Sequence, residues 1–483
     1  MKYDAIIIGA GLGGLFAGAK LAKEGNKVLL VEQHDRPGGC ATNFKRKEFT
    51  MEVGLHEMDG LHSTDVKTRM FKDLGVFENI KFLKVPEFYR FVNNRYDVTI
   101  SHKPVEVIKT LVKIFPKDES GIKAYFHRIL NIRKIVKEEL DKPEQTVGSF
   151  LDSIINDEDL KLILLGNLGY YLDNPYNLSL NYYCTAQLRY YSGGGNFIQG
   201  GSQVLSDYLM NFISERGGTV LLNHLVNEIV VEKDTAVGIR YKAVRSKKNE
   251  IRTAIAKEIV ANTSIPQLAN QLLPESLGKP ILNEIAGLET APSLLTVYFG
   301  FKKSLAKIGY QNYSLFVYDD SIKKLADIFP NNHADFDKRS FTFVDYSQID
   351  SRLVSDGKAV GSVCCNDYIA DWEKLDKEEY MKKKEQVAQH FINRLENIIP
   401  GFKNLVKYYE VGTAKTVKRY TMNPNGAVYG FAQTPKRVKT TIHSPVKNLS
   451  FASAWGRTGG GYSGAIYGGY FCAQDIIRKW RNS

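Results

Sequence analysis

A chain of 483 residues exceeds what one hydrophobic core supports, so two domains are expected, and 43% hydrophobic residues exclude a disordered chain. Lys and Arg outnumber Asp and Glu by 65 to 53, a formal charge of +12 that suits anionic lipid surfaces or polyphosphates, but the lysines are dispersed and no nucleic-acid motif accompanies them. The five cysteines (Cys40, Cys184, Cys364, Cys365 and Cys472) are odd in number and lack a Cys-x-x-Cys pair, which argues against a disulfide framework or a zinc site and fits a reducing cytoplasm.

Met1 and Lys2 lead straight into an apolar run, so no signal peptide is read, and no run is long enough to span a bilayer. Any membrane contact is expected to be peripheral, on the inner face. Residues 5–8 have the character of a buried strand. Gly9, Gly11 and Gly14 follow in the spacing G-x-G-x-x-G: the first permits a tight turn, the second lets a pyrophosphate approach the backbone, and the third lets helix and strand pack closely. A helix over 13–24 then directs its unpaired N–H groups and positive dipole end at the phosphates. Gly25 and Asn26 end it, and a second strand over 27–31 finishes at Glu32, where a carboxylate can accept hydrogen bonds from an adenosine ribose. Together these features predict a dinucleotide site. Just beyond, in "EQHDRPGGC", Arg36 can reach a pyrophosphate, and Gly38 and Gly39 let the chain pass close to a bulky ring.

Farther along, "FTMEVGLHEMDG" (49–60) sets Glu52, Gly54 and His56 in a turn. "VEVIKTLVKIFP" (105–116) puts Val107, Ile108, Leu111, Val112 and Phe115 on one helical face and Lys109 and Lys113 on another, a pattern that serves a bilayer interface or an ordinary core. Seven tyrosines crowd 170–191 (Tyr170, Tyr171, Tyr176, Tyr182, Tyr183, Tyr190, Tyr191), which suits a long apolar pocket or the packing of a domain core. Gly200, Gly201 and Ser202 open a helix that Gly217 and Gly218 close; 219–222 then enters a strand leading to Val226, and 228–241 reads as a hairpin turning at 233–235. Gly459, Gly461 and Gly464 repeat G-x-G-x-x-G, but the chain ends 19 residues after Gly464, too soon for a second strand and acid, so no second nucleotide site is expected. The terminal "IIRKWRN" permits the same two readings as 105–116.

The stretch around Arg36, Gly38 and Gly39 resembles the FAD-containing family of phytoene desaturases, carotenoid isomerases and retinol saturases, and the resemblance continues through 198–241, 258–274, 411–435 and 449–480. It implies an α/β fold in which a Rossmann-like FAD-binding domain, a parallel sheet with helices (1–70, 196–290 and 436–483), is interleaved with a substrate domain of mixed sheet and helices (71–195 and 291–435). It also implies FAD as cofactor, held at the start by Gly9, Gly11, Gly13, Gly14, Glu32, Gln33, Arg36, Gly38 and Gly39. Val226 and Asn262 are the implied contacts in the middle, and Gly456, Gly461, Tyr462, Ser463, Gly464 and Ala465 those at the end. There a helix starting near Ser463 is expected to point its N-terminus at the flavin's pyrimidine edge, where it stabilises negative charge. Glu52, Gly54 and His56 fall where desaturases and isomerases carry acidic-x-Gly patterns, and the added His is most similar to retinol saturases. His56 is thus the candidate catalytic residue, to protonate a carbon or to orient a polar head group, with a purely structural role as the alternative.

The activity this implies is an FAD-dependent oxidoreductase acting on carbon-carbon double bonds of a polyene or isoprenoid-like lipid, as a desaturase or saturase. A redox-neutral polyene isomerase and a flavin amine oxidase are the rivals within the enzymes. A non-catalytic lipid-binding regulator of the GDP-dissociation inhibitor type is the rival outside them, and the intact Gly9, Gly11, Gly14, Glu32 and Arg36 set speaks against it. The substrate, the direction of reaction, the electron partner and the oligomeric state stay open at this level.

Overall fold

The computed structural model describes residues 2–245, 250–355 and 357–482. Two seven-stranded sheets organise these residues. In the first, strand β1 (Lys2–Ile8) is buried from Ala5 to Ile8 and pairs in parallel with β2 (Val28–Val31) on one side and with Ile251–Ala261 on the other. Such an unbroken apolar run is what a parallel strand covered on both faces requires. Helix α1 (Leu12–Lys23) makes the crossover from β1 to β2. Thr219–Leu221 pairs in parallel with β2, and Leu449–Phe451 with the end of Ile251–Ala261. The beginning of Ile251–Ala261 serves a different partner, completing an antiparallel meander with Thr235–Ala243 and His224–Glu232.

The hairpin between those last two strands turns at Lys233 and Asp234, both at positive φ (46° and 61°). The single strand expected from 219 to Val226 is instead two strands at opposite ends of the strand order, because Asn223 sits in the left-handed region at φ 57° and breaks the run. The C-terminal helix, Gly461–Arg481, begins two residues before Ser463, from an extended Gly460. It lies along α1. A Cβ on Gly469 would collide with the carbonyl of Gly13, and one on Gly13 with the carbonyl of Ala452, so bare glycines set this close approach.

The second sheet runs in the order Val406–Gly412, Ser293–Phe301, Ala359–Asp367, Phe341–Asp345, Ser314–Val317, Tyr89–Val92, Asp97–Ile100. Its pairs are antiparallel except Ser314–Val317 with Tyr89–Val92. Side chains alternate across it. Leu295, Val297, Phe299 and Phe301 enter a core shared with the helix Lys377–Ile398, whereas Leu294 and Tyr298 of the same strand line a cavity on the other face.

Helices Pro104–Ile114, Glu119–Leu130, Val147–Ile154 and Leu180–Gly193 share a separate core. Val107, Leu111 and Phe115 are buried in it with Ile108 and Val112 at its edge, while Val105 and Ile114 stay exposed. Ile476 and Ile477 are buried likewise against the α1 side chains. Both stretches that matched a bilayer interface or a core thus commit most of their apolar surface to cores. Among the described residues no helix is long and apolar enough to cross a membrane.

Candidate functional site

One cavity of about 1310 Å³ is lined by residues of both sheets and of the helix Leu180–Gly193. Small-molecule sites usually occupy roughly 300–1,000 Å³, so this one has room for a second molecule beside a first.

At the first sheet, Gly9 leaves β1 with φ 94°, its N–H bonded to the carbonyl of Val31 at 2.8 Å, and Gly11 stands as an extended N-cap without any side-chain cap. The first turn of α1 contains no acidic residue, so its unpaired N–H groups and dipole are available to an anion. Glu32, buried at the end of β2, accepts from the N–H of Ala10 (2.7 Å) and of His34 (2.9 Å). A carboxylate offers about four acceptor sites, so these bonds orient Glu32 and leave capacity for a ribose. The carbonyl of Glu32 accepts from His224 at 2.8 Å, which brings the strand carrying Val226 to the same end of the cavity.

Gly38 donates to the carbonyl of Ala10 at 2.7 Å, and Gly39 follows at φ 60°. Arg36 is exposed at the rim, donating to Asp35 (3.2 Å) and to the carbonyl of Asn43 (3.1 Å). Gln33 reaches the carbonyl of Tyr420 (3.4 Å). Asn262 locks the glycine loop, with its backbone N–H on Ile8 (2.9 Å) and its side-chain amide on Gly9 (3.1 Å). Gly461, Tyr462, Ser463, Gly464 and Ala465 form the first turn of the C-terminal helix. The cavity wall includes Gly9, Gly11, Gly13, Glu32, Gln33, Arg36, Gly38, Gly39, Val226, Asn262 and these five. Gly14 and Gly456 are not part of that wall. A Cβ on Gly14 would strike the carbonyl of Gly9, the close helix-strand contact of a third glycine, and the carbonyl of Gly456 is taken by the guanidinium of Arg437.

Several residues on the wall or directly behind it escaped the sequence. Lys67, fully buried, pairs with Asp59 at 2.8 Å and donates to the Ser463 hydroxyl at 2.6 Å, and that hydroxyl donates in turn to Asp59. Burial alone would raise the Asp59 carboxyl, but Lys67 and Arg189 outweigh it and hold the group below its ordinary range. Nothing in "STDVKTRM" marks Lys67 as interior, because its partner Ser463 lies 396 residues away. Tyr298, Cys364 and Tyr429 also line the cavity without a local motif.

His56 lies on the wall, its ring 6.1 Å from that of Tyr170, and burial pushes its imidazole down to about 4. A value that low leaves the ring uncharged at neutral pH, which favours hydrogen bonding or proton acceptance over protonation of a carbon. The adjacent Glu57 is raised well above the ordinary carboxylate range by burial and by Glu87 and Asp59, an effect that the Tyr170 hydroxyl offsets only in part. Cys40 and Cys364 are neutral thiols, pushed up by burial to about 11 and about 12. Of the seven crowded tyrosines, Tyr170, Tyr171, Tyr182 and Tyr190 line the cavity. Tyr183 instead bonds Tyr125 (2.7 Å), Tyr176 bonds Asp152 (2.9 Å), and Tyr191 packs on Phe88 and Phe126. Tyr182, Ala186, Arg189 and Tyr190 recur at the spacing of one helical face, which is why two of this helix's four tyrosines line the cavity while Tyr183 and Tyr191 pack away from it.

Residues 12–477 match the model of the family described as flavin containing amine oxidoreductase. The chain belongs to this family. Among curated relatives, the chloroplastic prolycopene isomerase of Arabidopsis thaliana is 27% identical over 462 residues, covering 89% of this chain and 74% of the relative. The all-trans-retinol 13,14-reductase of Danio rerio is 24% identical over 535 residues, covering 99% and 86%. Among solved structures, an oxidoreductase from Methanosarcina mazei superposes with a TM-score of 0.68 at 18% identity, covering 99% and 100% of the two chains. Putrescine oxidase bound to putrescine gives 0.66 at 14%, covering 99% of each. The α/β fold with a flavin-binding sheet and a second mixed sheet is that of flavoprotein oxidoreductases, and this family member is an FAD-dependent oxidoreductase. The uncapped α1, the doubly held Glu32 with spare acceptor capacity and the glycine-lined floor fit a dinucleotide of that size.

Proposed function

We propose that this flavoenzyme acts on carbon-carbon double bonds of a polyene or isoprenoid-like lipid. The observation that carries this reading is the wall beyond the glycine loops, where Leu294, Phe316 and Tyr318 of the second sheet and Leu168, Tyr170 and Leu172 offer a predominantly apolar and aromatic surface. The second sheet's strands contribute one acid to the cavity, Glu410, which Arg46 pairs at 2.7 Å, and burial shifts Glu57, the acid on the wall beside His56, toward its neutral form, so neither offers a cationic amine a free counter-charge. The names of the relatives, prolycopene isomerase and all-trans-retinol 13,14-reductase, supply two conjugated polyenes as precedents. Likeness to putrescine oxidase at 14% identity speaks to fold alone.

In this reading the chain divides into a cofactor unit (1–70, 196–290 and 436–483) and a substrate unit (71–195 and 291–435), which matches the membership of the two seven-stranded sheets, while a three-stranded sheet of Met58–Asp59, Gly195–Ile198 and Phe82–Lys84 straddles the two. FAD lies along Gly9, Gly11, Gly13, Glu32, Gln33, Arg36, Gly38, Gly39, Val226 and Asn262, with the first turn of the C-terminal helix at its ring, and Gly14 and Gly456 act by backing the loops. When bound, FAD supplies hydride acceptance or donation. The residues of the chain orient the polyene, exclude water and, at a neutral His56, accept a hydrogen bond or a proton. Isomerisation without net redox change is the second reading, favoured by the prolycopene isomerases among the relatives. Peripheral contact with an anionic membrane belongs to the same proposal, supported by the +12 formal charge and by Phe471, which is both exposed and part of the cavity wall.

Purified protein incubated with all-trans-retinol or prolycopene, with dithionite as reductant in one arm and oxygen in another, tests the reading through mass and absorbance of the extracted polyene. Gain of hydrogen indicates saturation, loss desaturation, and a spectral shift without mass change isomerisation. Oxidation of primary amines with all polyenes untouched would sink it.

A further inference from the structure

The cavity face of the second sheet changes character along its length. Near the first sheet stands Tyr298, whose hydroxyl donates to the carbonyl of Val53 at 3.3 Å and whose strand neighbour is Ser362. Asn366 lies four residues farther along the same strand as Ser362, about 13 Å away at the rise of an extended chain. It lines the cavity together with Asn332 and Ser340, so the apolar stretch ends at a polar cluster.

Within that cluster the amide orientations follow from one fixed point. The carbonyl of Asp173 can only accept, and it takes the side-chain N–H of Asn332 at 2.9 Å. The Asn332 side-chain oxygen must then face Asn366, whose N–H donates to it at 3.2 Å. The remaining atom, Asn366 Oδ1, is therefore an acceptor. It has no partner among the described residues, although Asn366 is only 8% exposed. A buried acceptor without a donor is costly in an ordinary fold, and a ligand hydroxyl would relieve it.

We infer that the substrate is an apolar chain ended by a hydroxyl group, which donates to Asn366 Oδ1 at the far end of the cavity, and not a plain hydrocarbon. This rests on the polyene reading and narrows it. The paired Glu410 and the placing of the Asp173 carboxylate, which accepts from the Tyr368 hydroxyl at 2.6 Å and is not part of the cavity wall, favour a neutral donor over an ammonium.

The test uses flavin-loaded protein and three fluorescent probes: all-trans-retinol, the hydrocarbon with a methyl in place of its terminal CH2OH, and retinyl methyl ether. The ratio of hydrocarbon to retinol Kd is expected to fall about tenfold from wild type to Asn366→Leu, the scale of one hydrogen bond. Comparing the two proteins cancels the greater intrinsic hydrophobicity of the hydrocarbon, and undiminished hydrocarbon binding by the variant shows the cavity intact. On unaltered protein, the ether, which accepts but cannot donate, is expected to bind about tenfold more weakly than retinol. That measurement decides the matter even if the variant does not fold. Equal binding of retinol and ether, or a Kd ratio unmoved by Asn366→Leu, overturns the hydroxyl inference and leaves the polyene reading standing. Binding of none of the three overturns both.

Discussion

The two ends of the cavity are built by opposite means. Around Gly9, Gly13 and Gly38 the wall is backbone, with carbonyls and N–H groups at fixed positions and no room for a Cβ. Around Phe316, Tyr318 and Asn366 it is side chain, delivered by alternate positions of strands far apart in sequence. A backbone wall suits a ligand that never changes, because its shape is set by φ and ψ and is insensitive to most neighbours. A side-chain wall can be altered one residue at a time without disturbing the fold, which suits a substrate that differs from one relative to another.

Four substitutions break or sharpen this contrast. The largest effect belongs where the ends meet. Lys67→Met leaves the buried Asp59 with the Ser463 hydroxyl and with Arg189 at 3.9 Å in place of its close lysine, and is expected to cost about 3 kcal/mol in denaturant unfolding, most of it recovered by the double change Lys67→Met with Asp59→Leu. A single variant within 1 kcal/mol of wild type would show that the pair is not what holds the C-terminal helix. Next, Gly13→Ala drives a methyl into the Ala452 carbonyl and is expected to cost about 1–3 kcal/mol and to yield protein without a visible flavin band. Retained flavin would mean the floor is softer than its packing indicates.

His56 gives a smaller, pH-dependent effect. Its native value of about 4 lies below the unfolded value of 6.5, so between these the unfolded chain binds a proton that the native one does not. Stability therefore falls as pH drops from about 6.5 toward 4. Replacing His56 with Phe is expected to remove roughly 1–2 kcal/mol of that loss, less than the full gap because the ring is only half-buried. Parallel stability profiles for the two proteins across this window would refute a His56 imidazole held neutral in the folded state. Smallest of all, Phe316→Leu on the side-chain wall is expected to cost less than about 1.5 kcal/mol and to leave flavin content unchanged while shifting affinity for polyenes. Loss of flavin there would erase the distinction between the two ends.

The same contrast governs what the sequence discloses. Strand, glycine loop, α1 and β2 are legible from residues 3–39 because each is specified by neighbours: an apolar run, glycines at fixed spacing, and a turn at Gly25 and Asn26. The end of one expected strand at Asn223 was hidden, since a single left-handed residue leaves no periodic trace. The substrate wall was hidden for another reason. Cys364 and Asn366 look like any alternating strand, and only pairing with Thr296, Leu294 and Thr342 gives their face an identity. The tyrosine cluster was half legible: its composition announced an aromatic surface, but the turn of a helix decided which rings faced inward.

Gly13 and Gly469 touch across almost the entire length of the polypeptide, and Leu449–Phe451 joins the first sheet only after everything before it has been made. The glycine-lined floor is therefore incomplete until the chain has been made past Gly469. Cofactor capture becomes an event that waits for the helix Gly461–Arg481, and a protein truncated shortly before that helix would carry most of the fold yet be unable to retain its pigment.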